Sequence, residues 1–362
     1  MKKRIKTAVI GCGMIANSAH IPAYLSMPDD FELAAVCDSN KDSAAKTARE
    51  HGIAGVYSDA EMMLDEVRPD LVSVCSPNFL HKEHTMLALR HNASVLCEKP
   101  AAFKRRDAEE MYLLAQKQGR YLIACQSMRF TPDRLAAKSF IEQGGLGEIY
   151  YGEFSRIRPR GTPTWGGFHI KSISGGGALI DIGVHMIDAL LWLAGGKRVV
   201  SASASVFNNH GGLSDGLKNS GALLENVDSK TINPDSMDVE DFACGSITLD
   251  NGARINFKTA WAANLPEENS IILAGRSEGI LLPSCEIIKG AEKAPLKIDD
   301  HTVTNEPFYG HFHIIRHLKD VLHGRALPII TPEETVNVAT ALECIYKSAE
   351  LKREVRAEEL DG

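Results

Sequence analysis

No stretch of this 362-residue chain approaches the ~18 uninterrupted apolar residues that a membrane-spanning helix needs. Positive charge is also in short supply. The 40 lysines and arginines are outnumbered by 47 acidic residues, for a formal net charge of −7 and a pI near 6.0. That balance argues against broad nucleic-acid binding, which wants a basic face. No pair of cysteines forms C-x-x-C. The eight (Cys12, Cys37, Cys75, Cys97, Cys125, Cys244, Cys285, Cys344) are scattered and read as reduced, mostly buried thiols of a cytoplasmic protein. Internal repeats and low-complexity tracts are missing too. The opening "MKKRIKTAVIGCGMI" has the basic-then-apolar order of a signal peptide. However, Gly11 and Gly13 interrupt the apolar run and no clean small-residue cleavage site follows, so it reads as a first strand.

What the chain does have is a composition of 44% hydrophobic and 24% charged residues, enough for a full core, and a length that suits about two domains. Up to residue 125, strand and helix alternate with short connections, as in a parallel α/β sheet. The strands are "IKTAVI", "FELAAVCD", "DLVSVCS", "SVLCE" and "YLIACQ". Asn40 caps a helix that Gly52 ends, and Ser58 with Glu61 predicts a capping box before "MMLDEV". Further helices are expected over about 79–91 and 107–118. From about Gly147 the segments lengthen and carry aromatic and β-branched residues: "EIYYGEFSRI", "VVSASASVF", "DFACGSITLD", "ARINFKTAW" and "NSIILAG". With "DNG" at 250–252 as a hairpin turn, these predict an antiparallel sheet. Residues 208–237 are Gly/Asn/Ser-rich and read as a long loop, a lid or an oligomer contact. Two helices follow near 309–323 and 332–351, the second with Thr331 as cap, Pro332 at its first position and Glu334 closing a capping box. The expected domains are 1–125 and 126–362.

"VIGCGMIA" sets Gly11-x-Gly13-x-x-Ala16 between a strand and a helix, which is the dinucleotide fingerprint. Gly11 makes the tight turn, Gly13 admits a pyrophosphate, and the helix N-terminus supplies N–H groups and partial positive charge. Asp38, 22 residues beyond Ala16 at the end of the second strand, would accept ribose hydroxyls and repel a 2′-phosphate. That favours NAD, although Ser39, Asn40 and Lys41 could accommodate the phosphate of NADP. The next strand ends give "SPNFLH" and "CEKP". A Glu-Lys pair followed by proline at the end of an apolar strand is unusual for a purely structural role, although a lone Lys99 would read as a solvated strand-end lysine. His81 and His84 could be surface residues. No third ligand of metal spacing lies near them, so no metal is expected.

"GGGALIDIGVHMIDAL" (175–190) looks like a buried helix, yet Asp181, His185 and Asp188 fall within a sector of about 60° at ~100° per residue. Buried charges cost free energy unless paired or used. Just upstream lie Arg156, Arg158, Arg160 and Lys171. These are read first as a solvated strand face, and otherwise as a site for a substrate phosphate or carboxylate. Trp165 and His169 either line a ligand pocket or close the core.

These residues, with "RFTP" (129–132) and "VEDFACGSITLDNGARI", make the chain resemble the glucose-fructose oxidoreductase / inositol dehydrogenase / rhizopine catabolism family (Gfo/Idh/MocA) over almost its whole length. The resemblance implies an α/β chain: an N-terminal Rossmann dinucleotide-binding domain plus a C-terminal α/β domain with a large open, mainly antiparallel sheet. It implies an NAD(P)-dependent oxidoreductase acting on a secondary hydroxyl or carbonyl of a sugar, sugar derivative or cyclitol. Lys99 would be the catalytic lysine beside the nicotinamide, His185 the proton-transfer group and Asp181 the residue that orients substrate. Lys99 and His185 would meet across an interdomain cleft, with the Gly175–Gly177 run and Gly183 giving room for ligand. Gly11, Gly13, Met14, Ile15, Asp38, Ser76, Pro77, Asn78, His81, Glu98 and Lys99 would bind the cofactor. Arg129, Arg158, Trp165 and His169 are candidates for the substrate, and Asp188 reads equally as a structural carboxylate. The sequence departs from the family at Lys104, where a Thr or Ser cap is usual, and in lacking the glycine near "SAELKREV". A homodimer or homotetramer is expected by analogy. The alternative is a non-catalytic NAD(P)-binding sugar sensor, against which the retention of Lys99, Asp181 and His185 speaks. NAD-assisted glycoside hydrolysis also occurs on this fold, but no signature for it is visible.

Overall fold

The computed structural model describes residues 4–163, 166–209, 236–298 and 308–361. It divides into two units, Met1–Phe130 with Phe308–Val336, and Thr131–Pro307 with Asn337–Gly362. The sequence-based division gave the whole C-terminal segment to the second domain, whereas residues 308–336 pack with the first.

The first unit is built on a parallel sheet ordered β3-β2-β1-β4-β5-β6. Its strands are β1 (Ile5–Ile10), β2 (Phe31–Cys37), β3 (Gly55–Tyr57), β4 (Leu71–Val74), β5 (Ser94–Cys97) and β6 (Leu122–Ala124). β4, β5 and β6 are buried at every position, as expected of a parallel sheet covered on both faces. The edge strand β3 was not anticipated; three residues, none of them fully buried, carry little periodic signal. Between the strands run α1 (Ile21–Leu25), α2 (Lys41–His51), α3 (Ala60–Val67), α4 (His81–Arg90) and α5 (Arg105–Lys117). α2 starts and ends as expected: the Asn40 side chain accepts from the Asp42 and Ser43 amides, and Gly52 closes the helix in the left-handed region. α3 corrects the reading. Its cap is Asp59 rather than Ser58, with the Asp59 carboxylate accepting the Met62 amide at 2.8 Å. α5 has Lys104 at its cap position with no side-chain capping bond.

The returning segment contributes α9 (Tyr309–Leu322) and the first turn of α10 (Pro332–Leu351). Thr331 and Glu334 form the predicted capping box reciprocally: the Thr331 amide donates to Glu334, and the Glu334 amide donates to the Thr331 hydroxyl. The same Glu334 carboxylate takes the Arg129 guanidinium at 2.6 Å, and Arg129 is only 1% exposed. Arg129 is therefore not a substrate residue; it ties the returning segment to the end of the Rossmann sheet.

The second unit carries a nine-stranded sheet ordered β14-β13-β12-β11-β7-β10-β9-β8-β15. The strands are β7 (Ile149–Ile157), β8 (Val199–Phe207), β9 (Phe242–Leu249), β10 (Arg254–Ala260), β11 (Glu268–Gly275), β12 (Gly279–Leu282), β13 (Glu286–Lys289), β14 (Glu292–Pro295) and β15 (Val355–Arg356). β9 and β10 form the hairpin marked by "DNG", with Gly252 at φ 83°. The sheet is mixed rather than purely antiparallel, because β10 runs parallel to β7. The chain between them passes through a helix and two strands, long enough for the crossover that parallel pairing needs.

The helical stretch on this sheet is not one regular helix. α7 (Lys171–Ser174) ends at Gly175 (φ 83°), a π-turn spans Leu179–Gly183, and α8 runs Val184–Leu193. By length and composition Lys171–Leu193 could cross a membrane, but its most apolar window is 89% buried within the fold, which marks a core helix. α6 (Pro132–Glu142) completes this layer. The expected loop 208–237 lies almost entirely outside the described residues. Arg129→Ala should cost about 1.5–3 kcal/mol of stability, the worth of a hydrogen bond to a charged group, because Glu334 is partly exposed and keeps the Thr331 amide; chemical denaturation measures it.

Candidate active site

In the first unit the expected cofactor residues gather at the carboxyl ends of the parallel strands, where open α/β sheets bind ligands. Gly11 sits at φ 96°, and a Cβ there would overlap the Cys75 backbone. Gly13 is exposed, with nothing within 4 Å of where its Cβ would be. The first turn therefore needs a glycine for close backbone packing, and the second leaves open space at the start of a helix beginning at Met14, which with Ile15 is half-buried. Asp38 Oδ2 accepts the Cys12 amide and Oδ1 the Asn40 amide, both at 2.8 Å. A carboxylate has about four acceptor positions, so both oxygens can still take a ribose hydroxyl. These residues fit an NAD molecule.

Around them, Ser76 is buried, Pro77 exposed and Asn78 half-buried. His84 Nδ1 lies 2.9 Å from the Ser76 hydroxyl. His81 is not a surface residue. It is 1% exposed, and its ring nitrogens lie 2.8 and 2.9 Å from the carbonyl oxygens of Pro100 and Ser76. It clamps the "SPN" loop to the "EKP" loop from behind. Burial pushes its pKa down, against those hydrogen bonds.

Glu98 is buried as well. His20 Nε2 reaches its carboxylate at 2.8 Å, His311 Nε2 at 3.2 Å, and the Lys99 amide donates to it at 3.1 Å. His20 Nδ1 contacts the Ser73 hydroxyl, which meets the Tyr24 hydroxyl at 2.6 Å. His20, Glu98, His311 and Cys125 offer ligand atoms within 4.8 Å of one another, a group that could hold a metal and that the sequence did not suggest. Two ligands on a tetrahedral zinc sit roughly 3.3 Å apart, whereas 2.8 Å between His20 and Glu98 is a hydrogen-bond length. Burial also pushes the Cys125 thiol well up. The group reads as a hydrogen-bonded chain from Tyr24 to His311 that holds the strand end carrying Lys99. Although burial works to raise the Glu98 pKa, the two histidines hold it well below the usual carboxylate range; burial keeps His20 neutral by lowering its pKa.

In the second unit, Asp181 and His185 are half-buried, while the residues around them from Gly176 to Leu193 are buried. The π-turn carries Asp181, and the first turn of α8 carries His185. Asp188 is 1% exposed and interacts electrostatically with the buried Arg134 of α6, the structural role. Register on the sheet orders the rest. Gly152 lies under Leu190, Phe154 stacks with Phe257 at 5.6 Å, and Arg156 pairs across strands with Thr259, whose side chain would meet a Cβ on Gly183. Next along that face comes Trp261, whose indole N–H donates to Asp181 Oδ2 at 2.9 Å. Arg156 is therefore no solvated face residue. It is half-buried near the Asp181 end of the helix, its pKa lowered by burial and by neighbouring Arg158. Arg158 is half-buried, Arg160 bonds Asn264 and backbone carbonyls, and Lys171 is exposed. His169 is half-buried, its pKa lowered by burial. Trp165 lies outside the described residues.

Gly176 and Gly177 do not make room for a ligand. A Cβ on Gly176 would collide with the Tyr346 hydroxyl, and one on Gly177 with the Glu240 carbonyl. Glu240 and Trp261 were not singled out from sequence. The available signals were an acidic pair entering an apolar strand in "VEDF" and a tryptophan closing "ARINFKTAW".

A fingerprint-bearing Rossmann unit joined to an open-sheet unit with a half-open Asp–His face defines a nicotinamide-linked oxidoreductase. Residues 5–125 match the oxidoreductase family, NAD-binding Rossmann fold, and residues 135–281 match the GFO/IDH/MocA C-terminal domain, so the chain belongs to the Gfo/Idh/MocA family. It is 32% identical over 354 residues to the D-glucoside 3-dehydrogenase of Escherichia coli, covering 96% of this chain and 95% of that protein. It is 25% identical to a scyllo-inositol 2-dehydrogenase (NADP(+)) of Bacillus subtilis, covering 98% and 96%. A dehydrogenase from Bordetella pertussis, crystallised with NADH and UDP-GlcNAcA, shares the fold with a TM-score of 0.76 at 22% identity, covering 98% of this chain and 99% of that one.

Both His20 and Glu98 have folded pKa values below their unfolded ones, so each contributes stability that is complete above the unfolded value and lost as pH falls toward the folded one. The melting temperature should fall as pH drops below about 6.5, the unfolded histidine value, and again below about 4.3 for the glutamate. His20→Gln should make the first step smaller in a calorimetric pH series, the remainder belonging to other histidines whose pKa burial lowers, His81 among them.

Proposed function

We propose that this protein is an NAD-dependent dehydrogenase or reductase acting on a secondary hydroxyl or carbonyl of a sugar, sugar derivative or cyclitol. The observation that carries this is the pair Asp181 and His185, held half-open on an otherwise buried helix in a family whose relatives are named for sugar and inositol dehydrogenation. NAD, when bound, supplies the hydride acceptor or donor. The chain supplies the rest. His185 takes the hydroxyl proton on oxidation and returns it on reduction, for which imidazole suits neutral pH. The Lys99 ammonium donates to the reacting oxygen and stabilises charge that develops there. Asp181, aimed by Trp261, orients the substrate, with Arg156, Arg158 and His169 as further substrate contacts. Gly11, Gly13, Met14, Ile15, Asp38, Ser76, Pro77 and Asn78 bind the cofactor, while His81 and Glu98 hold those loops in place.

Two broader readings accompany this. Eight free cysteines, seven of them buried, fit a reducing, cytoplasmic setting. The sheet face opposite α8, bearing Tyr151, Glu153, Asn256, Lys258 and Ile272, supports a homodimer or homotetramer, which light scattering would measure.

Lys99→Ala and His185→Ala should each abolish turnover while NAD binding stays nearly intact. The assay is NAD reduction over a panel of sugars, glucosides, sugar phosphates, nucleotide sugars and inositols. Wild-type rates in both variants would refute the catalytic assignment, and ligand binding without turnover across the panel would indicate a sensor. Asp38→Ser should relax discrimination against NADP. An unchanged NAD/NADP ratio of kcat/KM would mean that Asp38 does not touch the ribose.

A further inference from the structure

We infer that Glu240 is a positioning residue for the reaction: its buried carboxylate staples the turn that carries Asp181 and, through it, the helix that presents His185. The inference rests on the catalytic reading of those two residues and deepens it.

Glu240 lies just before β9 and is 6% exposed. Its Oε2 accepts the Gly177 amide at 2.9 Å, while its Oε1 accepts the Leu179 amide at 3.0 Å and the Tyr346 hydroxyl at 2.9 Å. Its backbone carbonyl accepts the Ala178 amide at 3.0 Å. One residue thus takes three consecutive amides at the start of the π-turn, which have no partner within their own helix. A negative group at a helix N-terminus is also favoured by the helix dipole.

Two features show that this is a built arrangement. First, Gly176 and Gly177 must be glycines because Tyr346 and the Glu240 backbone occupy the space a side chain would need. Second, the neighbouring Asp241 carbonyl accepts the Trp261 amide at 2.9 Å, and the Trp261 indole donates to Asp181. The segment 239–241 therefore holds the Asp181 turn from two directions, through its peptide backbone and through its carboxylate. Val239 and Met237 pack with Ile182 and Trp261 in one apolar cluster, which closes this support against water.

The chemistry of the contact restricts the residue. Both carboxylate oxygens accept N–H donors, so both must be acceptors. An amide has one acceptor oxygen, and its NH₂ would face the second N–H. Glutamine is therefore no substitute here, although it matches glutamate in size. Aspartate keeps the charge and both acceptors but is shorter by one methylene.

The test is Glu240→Gln, with Glu240→Asp as a second variant in case the first does not fold and Tyr346→Phe as a control that leaves both amide acceptors intact. All are made in the full-length protein and assayed with the substrate turned over fastest in the panel above. A misplacement of about 1 Å remote from the chemistry can lower rates ~10²-fold. Glu240→Gln is accordingly expected to lower kcat by about 10- to 100-fold, with the NAD dissociation constant from fluorescence titration unchanged and circular dichroism showing folded protein. Glu240→Asp should recover part of that loss, and Tyr346→Phe should stay within about threefold of wild type. If folded Glu240→Gln, or Glu240→Asp where the first does not fold, keeps wild-type kcat while melting at a lower temperature, the residue is only structural and the inference fails. If His185→Ala also keeps its rate, the catalytic reading itself has failed. If His185→Ala is inactive and Glu240→Gln is not impaired, this inference alone is overturned.

Discussion

A helix buried on nearly every side can present a polar face only if its first amides are satisfied from elsewhere. Here the Glu240 carboxylate and carbonyl do this for residues 177–179. Burial works to raise the Glu240 pKa, and the amides and the Tyr346 hydroxyl that bond it work the other way; hydrogen bonds to a charged group are worth about 1.5–3 kcal/mol each. The glycines, the acidic pair in "VEDF", Tyr346 and Trp261 all follow from that constraint, and Asp181 is oriented as a result.

The Rossmann unit meets a similar requirement in another way. Lys99 follows a strand buried at every position, and its amide is fixed by Glu98, which two histidines hold ionised in the interior. His81 links the two neighbouring loops by placing a ring nitrogen against a carbonyl of each. In both units a candidate catalytic side chain stands at the end of an element, and a buried ionisable residue next to it fixes the backbone. Pre-organisation of this kind keeps reacting groups within the narrow tolerance that catalysis needs.

Much was legible beforehand because the signals were local. The glycine turn, Asp38, the Asn40 and Thr331 caps, the "DNG" hairpin and most strands depend on residues within a few positions of one another, and they stand where expected. The misreadings share one cause. Arg129 looked like a ligand residue because its partner, Glu334, is far away in sequence. Arg156 looked solvated because strand periodicity does not say what covers a face. Gly176 and Gly177 looked like ligand space because the groups that fill it, the Tyr346 side chain and the Glu240 backbone, lie far away in sequence.

The sequence by itself determined the fold class, the cofactor type and, through the family resemblance of its motifs, the candidates Lys99, Asp181 and His185, because each is written in a short motif tied to one turn or one helical face. Only the tertiary structure decided which polar residues stay half-open and which become supports. It separated Asp188 from Asp181, turned His81 and Glu98 into scaffolding, and brought Glu240 and Trp261 to the site. The physical reason is that burial and hydrogen-bond partnership are properties of side chains that meet across long stretches of chain, and no local pattern encodes them.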